Sequence, residues 1–219
     1  MKNPWLDLTS QAPYLLEIDQ KQIAAFAPRQ NSNAALQLSS IPEPFIGNPE
    51  TARVVLLLLN PGHDKDDPAA HSNPQLKQAI FRNLRHETQP FPFYPLNPAF
   101  SEAPTARWWI PCTRVLKKET GLSYKDLSER LLAIEWFPYH SKSSGLPTRR
   151  VCESQEYTFD LARKMIGNQF VLRMRSVNHW AGVDKRFRDV PALRNPQCCH
   201  ISRRNTEPGV FEAIVKALI

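Results

Sequence analysis

Apolar positions along the chain fall into short bursts separated by proline, glycine and polar clusters. Val54–Leu59 is a continuous apolar run that stops abruptly at Asn60-Pro61-Gly62. A run of that length, closed by strong breakers, predicts a buried strand over 53–59. Leu131–Phe137, ending at Pro138, predicts a second strand. Phe170–Val177 predicts a third, with Val171, Arg173 and Arg175 alternating onto one side, and Gln197–His200 a short fourth.

Between these strands the spacing turns helical. Leu76, Ile80 and Leu84 follow an N-cap at Asn73-Pro74, a helix is expected over about 106–119 before Gly121, and Ser154 opens one that runs to Ile166 and closes at Gly167. Thr206 can cap a terminal helix whose buried face is Val210, Phe211, Ile214, Val215 and Leu218. Near the N-terminus a short helix fits within Thr9–Phe26, and Ile41–Gly47 reads as an extended lead-in to the first strand. Strand and helix alternate, which predicts an α/β protein: a three-layer α/β/α sandwich around a mainly parallel four-stranded sheet. The expected organisation is one domain over 1–219, with a Pro-containing lead-in over 1–50 and the core over 51–219.

Residues 90–104 break the pattern, with five prolines and the aromatics Phe91, Phe93, Tyr94 and Phe100. This Pro-stiffened loop either covers the core, the commoner role, or walls a pocket with Phe93 and Tyr94.

Charge sharpens the picture. Residues 1–141 are balanced, with 14 basic and 14 acidic side chains, whereas 142–204 carry 13 basic against 5 acidic, a net of +8. That stretch includes Arg149, Arg150, Lys185, Arg186, Arg188, Arg194, Arg203 and Arg204. Such a footprint fits either a polyanion partner, most simply nucleic acid, or a solvated basic surface. The four cysteines, Cys112, Cys152, Cys198 and Cys199, match no metal-ligand spacing and are expected as reduced thiols whose favoured role is that of small buried hydrophobes. His63 and His71 lie near Asp64, Asp66 and Asp67, but without the glycine and ligand spacing of a calcium loop, so neither metal nor cofactor is expected. No apolar run approaches the ~20 residues of a membrane span, and the N-terminus lacks the apolar stretch of a signal peptide, so no membrane partner is expected and the cytoplasm is the default location.

The chemistry concentrates at two strand ends. Asn60-Pro61-Gly62-His63 closes the first strand, and His200-Ile201-Ser202-Arg203-Arg204-Asn205 follows the fourth. In open α/β sheets ligands bind outside the carboxyl ends of strands, so two such ends imply one shared cleft. Together the motifs resemble those of the uracil-DNA glycosylase superfamily. There an early strand ends in Asn-Pro-Gly in the single-strand-selective and mismatch-specific branches, or in Asp-Pro-Tyr-His in another. A late motif reads His-Pro-Ser followed by basic residues. The resemblance extends over about 41–219, with the two motifs as its specific part.

The resemblance implies a glycosylase-like fold and hydrolysis of the N-glycosidic bond of a flipped-out modified or deaminated base, with DNA as partner. Asn60 would position the attacking water, and His200 would stabilise the departing base. Ser202, Arg203, Arg204 and Asn205 would grip the backbone, with Arg149 and Arg150 on the same basic face. Gly62 leaves room for a ligand, and His63 adds a polar group beside it.

Three positions depart from the family pattern. Ile201 replaces the proline of the late motif. Glu135 stands where the family reads the base edge with asparagine, and an ionised carboxylate there would reject uracil. His63-Asp64-Lys65-Asp66-Asp67 is acidic, which either repels phosphate or supplies Asp64 as the water-activating carboxylate. Trp136-Phe137-Pro138-Tyr139-His140 ends the central strand: Trp136 and Phe137 suit the core, and Tyr139 and His140 are candidates for the substrate pocket. Two other functions fit the same features: a non-catalytic nucleic-acid-binding protein, or an enzyme of small nucleotides whose phosphate is held by Arg203 and Arg204.

Overall fold

The computed structural model describes residues 1–26, 34–143 and 145–219. Its centre is a four-stranded mixed sheet built from β1 (Phe45–Ile46), β2 (Val54–Leu57), β3 (Leu131–Ile134) and β4 (Phe170–Arg173), in the order β1-β3-β2-β4. β2 pairs in parallel with β3 and with β4, and β1 pairs antiparallel with β3. Every residue of β2 and β3 is buried. Strands buried on both faces read as continuous apolar runs rather than alternating ones, which is why Val54–Leu59 was legible.

Eight α-helices are present among the described residues. α1 is Gln20–Phe26, α2 Asp67–Ser72, α3 Pro74–Leu84, α4 Pro104–Thr120, α5 Tyr124–Arg130, α6 Gln155–Met165, α7 Val177–Val183 and α8 Val210–Leu218. The expected punctuation accounts for several ends. Asn73 caps α3 by accepting from the backbone of Gln75 and Leu76, and Gly121 closes α4 in the left-handed conformation. α5 begins with a reciprocal capping box between Ser123 and Asp126.

Two expectations are corrected. The segment 197–200 forms no strand; the fourth strand is β1, from the stretch taken as a lead-in, so the sheet is mixed. The reason is local. Beyond β4 the ladder reduces to one parallel bridge between Arg173 and Ala192, while Asn205 holds the 195–200 turn by donating to the carbonyls of Asn195, Cys198 and His200. The carbonyls of Cys198 and His200 are thereby taken up by a side chain instead of a ladder. β1 is protected in turn by Asn83 of α3, which accepts from Gly47 N–H and donates to the Phe45 carbonyl, occupying a sheet edge as a strand would. Gly47 is required there: its φ is +116°, and a Cβ would collide with the Leu131 carbonyl oxygen. The second correction is at the C-terminus, where Gly209, not Thr206, occupies the N-cap of α8. Thr206 instead donates to the Ser202 carbonyl.

The described residues of 1–50 belong to the same core as the rest. Trp5, Tyr14, Leu16 and Ile41 are buried within it. The Pro-rich stretch 90–104 forms two short 3-10 turns that bury Phe93, Tyr94, Leu96 and Phe100, so it covers the core. No helix among the described residues is long and apolar enough to cross a membrane.

Candidate functional site

Parallel pairing sends β2, β3 and β4 out of the sheet at one end. Leu57 is in register with Ile134 on one side and Arg173 on the other. The residues just beyond, 58–63, 135–140 and 175, therefore emerge together. Leu58 N–H still donates to the Ile134 carbonyl and Phe137 N–H to the Leu59 carbonyl, which keeps the first two exits side by side. They meet the N-terminal turn of α4 around a pocket of about 260 Å³, lined among others by Asn60, Gly62, His63, Trp108, Glu135 and Arg175.

Asn60 is held in one orientation. Its Nδ2 donates to its neighbour's Pro61 carbonyl (2.9 Å) and to Ser141 Oγ (3.0 Å). Among the described residues no donor reaches Oδ1, which is left to accept a hydrogen bond from a bound molecule. No side chain lies within 4 Å of where a Gly62 Cβ would stand, so the backbone is open to a ligand.

Glu135 is buried, and its Oε2 has no hydrogen-bond partner. Burial pushes its carboxyl well above the ordinary range, Arg175 pulling it back in part and Glu43 adding to the rise. Burial thus favours the protonated form of Glu135, whereas the sequence reading took the carboxylate as ionised. A protonated carboxyl offers one donor and one acceptor side by side. Arg175 has its Nε buried without a partner, and its guanidinium lies over the Trp108 ring at 5.8 Å. Trp108 packs edge-on against Trp109, which packs against Phe93.

His63 completes the set. Its Nδ1 is buried 3.4 Å from Asp67 Oδ2, off the line a hydrogen bond requires. Burial lowers the His63 imidazole below its usual range, so it rests as the neutral ring. Asp67 is buried too, and desolvation raises its carboxyl, while Oδ2 accepts from Asp64 N–H at 2.7 Å. Asp64 itself is exposed, with Oδ1 3.6 Å from Arg107 Nη2, which also binds Asp66 at 2.9 Å. The better-placed proton acceptor is therefore the His63–Asp67 pair. Its signal in the sequence was the four-residue spacing of the two side chains.

His140 lines the pocket but is spent on the backbone. Nδ1 lies 2.6 Å from the Gly62 carbonyl and Nε2 2.9 Å from the Ile41 carbonyl. Both contacts are satisfied only when both nitrogens carry protons. Glu43 at 3.5 Å and Asp67 at 3.9 Å flank the ring. His140 therefore fixes the Pro61–Gly62 loop. Glu43, His71 and His140 lie close enough to suggest a metal site. Their hydrogen bonds do not fit one. His71 Nδ1 accepts from Ile41 N–H, which puts its proton on Nε2, and burial holds that ring near a pKa of about 3. Glu43 accepts from the Tyr94 hydroxyl, and neither His140 nitrogen is available.

Other sequence candidates lie elsewhere. Phe93 and Tyr94 are core residues behind the pocket. Tyr139 is buried and donates to Asp19 at 2.6 Å. His200 is half-buried and outside the pocket lining. Ile201, beside it, donates its N–H to the Cys112 carbonyl of α4. Asn205 is buried as the turn staple described above. Ser202 is half-buried and Arg204 and Arg149 are exposed. Arg203 is held by Glu119 and Glu212, and Arg150 by Glu153 and Glu156. Much of the basic stretch is thus internally neutralised. Of the cysteines, Cys112 and Cys152 are buried, Cys199 is half-buried and Cys198 is exposed.

Sequence reasoning missed Asp67, Trp108 and Arg175 as pocket residues. Trp108-Trp109 at the start of a helix was a usable signal. Arg175 was not, because the strand stops at Arg173 and the left-handed Ser176 (φ 62°) turns the chain beyond it.

No protein-family model, curated protein or solved structure matches the chain.

Proposed function

We propose that the pocket takes up a single nucleobase and that the protein hydrolyses its N-glycosidic bond. One observation carries this reading: three buried polar atoms without partners, Glu135 Oε2, His63 Nδ1 and Arg175 Nε, all belong to residues lining one pocket. Buried polar groups are nearly always paired, so three orphans at one place imply a polar ligand that pairs them. The pocket falls just below the ~300–1,000 Å³ usual for drug-sized ligands, which suits one planar ring system. Trp108 offers that ring a stacking face.

In this reading water is held by Asn60 Oδ1 and gives a proton to His63, which Asp67 supports as it becomes cationic. The water oxygen bonds to the sugar carbon as the carbon–nitrogen bond breaks. The departing base takes the bonding pair and then a proton, with the Arg175 guanidinium beside it to disperse the developing charge. Neutral Glu135 pairs with any ring edge that sets an N–H donor beside an acceptor, uracil included.

A second reading follows from the carboxylates that hold Arg203 and Arg150: the substrate is a free nucleoside or nucleotide rather than a nucleic acid. A panel of damaged-base oligonucleotides and free nucleosides, scored for base release under single-turnover conditions, tests both. Release from oligonucleotides supports the first and release from nucleosides alone the second. The absence of release from every substrate would remove the hydrolase and leave a base-binding protein.

A further inference from the structure

Arg173, the last residue of β4, is 7% exposed, an uncommon place for a guanidinium. Its Nε donates to the Val190 carbonyl (3.0 Å) and its Nη2 to the Arg188 carbonyl (3.3 Å). Its Nη1 is buried with no partner. The same residue lines an open cavity of about 460 Å³ with Arg188, Asn178, Ala181 and Gly182. No carboxylate lines it. Among the described residues neither Arg173 nor Arg188 has an ion-pair partner. Asp189 is near enough to favour the charged form of Arg173, although burial weighs more and lowers its pKa. The other acid of this region, Asp184, is occupied by Arg186 at 2.7 Å.

Two cationic residues lining one cavity with no carboxylate in its wall repel each other, and a buried N–H without an acceptor is costly. An anion in the cavity removes both penalties at once. Gly182 leaves the wall low, since the nearest atom to a Cβ there would be the Thr148 carbonyl oxygen at 3.6 Å. That contact also brings the segment leading into Arg149 against α7.

The geometry points to a second binding site, separate from the base pocket, in which Arg173 Nη1 and Arg188 hold a phosphoryl-type tetrahedral oxyanion. Guanidinium groups suit such a ligand because they donate several bonds in fixed directions. The oxyanion is either a free phosphate or phosphomonoester, or a phosphate of a nucleic-acid backbone. The site gives the basic stretch 142–204 a local purpose that its neutralised arginines do not supply.

The test uses the full chain, with inorganic phosphate as the probe and chloride at equal ionic strength as the control. At about ten times its Kd, phosphate should raise Tm by about 3–5 °C. The rise should fall by more than half in Arg188→Ala, an exposed position that leaves the fold intact, and vanish in Arg173→Lys. A single-stranded oligonucleotide then separates the sources. Displacement by phosphate, with a salt slope lowered by about one in Arg188→Ala, assigns the site to a backbone phosphate. A phosphate effect without oligonucleotide competition assigns it to a free anion. Equal Tm in phosphate and chloride, together with an unchanged salt slope in Arg188→Ala, would overturn the proposal. None of these readouts depends on base release.

Discussion

Two buried polar clusters of this protein differ in completeness: the one around Asp19 and the one around the pocket. Around Asp19 every group is matched. Its Oδ2 accepts from the Tyr139 hydroxyl (2.6 Å) and Ser154 Oγ (2.5 Å), its Oδ1 accepts from Ser154 N–H (2.9 Å), and the Tyr139 oxygen accepts from Leu16 N–H (3.4 Å). Around the pocket, Glu135, His63 and Arg175 each keep one buried atom unmatched. Burial is similar, so it does not separate structure from function. Completeness does. A satisfied network ties the N-terminal segment to β3 and α6, whereas an unsatisfied one waits for a molecule that is not part of the chain.

The largest effect should come from breaking the complete cluster. Asp19→Ala strands three donors, each worth roughly 1–3 kcal/mol when left buried and unpaired. After relaxation the expected loss is about 3–5 kcal/mol in urea unfolding, with ligand affinity per folded molecule unchanged. A loss under 1 kcal/mol would show that completeness does not mark a structural cluster.

The incomplete cluster should respond in the opposite way. Asn60→Ala and His63→Ala should each lower base release by about a hundred- to a thousandfold, or ~2.7–4 kcal/mol in the barrier. Stability should change by less than about 1 kcal/mol, because neither side chain supports the core. A large fall in stability with an unchanged rate would reverse the assignment of the two clusters.

Glu135 sharpens the comparison through pH. Burial raises its folded-state pKa, while the unfolded carboxyl titrates at about 4.3. The native state therefore holds a proton that the unfolded chain releases, and stability is lost as pH rises from that value toward the folded pKa. Glu135→Gln has no such proton. It should match the parent near pH 4 and exceed it at pH 8 by on the order of 1 kcal/mol, the ordinary size of a single-residue effect. It should also keep ligand affinity, since an amide preserves a donor beside an acceptor. Parallel stability curves for the two proteins from pH 4 to 8 would show that Glu135 is ionised in the fold.

What the sequence revealed follows from the same physics. Strands buried on both faces announce themselves as apolar runs, so β2 and β3 were found, as was the exit at Asn60, while β4 was found from its alternation. Edge strand β1 is two residues long and fixed by Asn83 from a distant helix, so no local pattern marks it. The segment 197–200 has strand-like composition but is claimed by the nearby Asn205 side chain, a local preference that strand patterning does not show. In the site, Asn60, Gly62, His63, Asp64, Glu135 and His140 were singled out and line one pocket. What stayed hidden was protonation and partnership. Burial favours the neutral form of Glu135, Asp64 is diverted by Arg107, and His140 is consumed by two carbonyls.

The smallest effect is expected at His200, the residue to which the family resemblance gives the departing base. Its segment is anchored on α4 through Ile201 and Cys112, and its ring lies outside the pocket lining. The charge on the leaving base would then fall to Arg175, whose free Nε is already in the pocket wall. His200→Ala should accordingly change base release by less than about threefold, under ~0.7 kcal/mol, while Arg175→Met should cost as much as Asn60→Ala. The order matters more than either value. If His200→Ala is the more damaging, the 197–205 turn must move inward when substrate binds. Hydrogen exchange at the amides of Cys199 and Ile201, measured with and without a base-bearing ligand, would detect that movement directly.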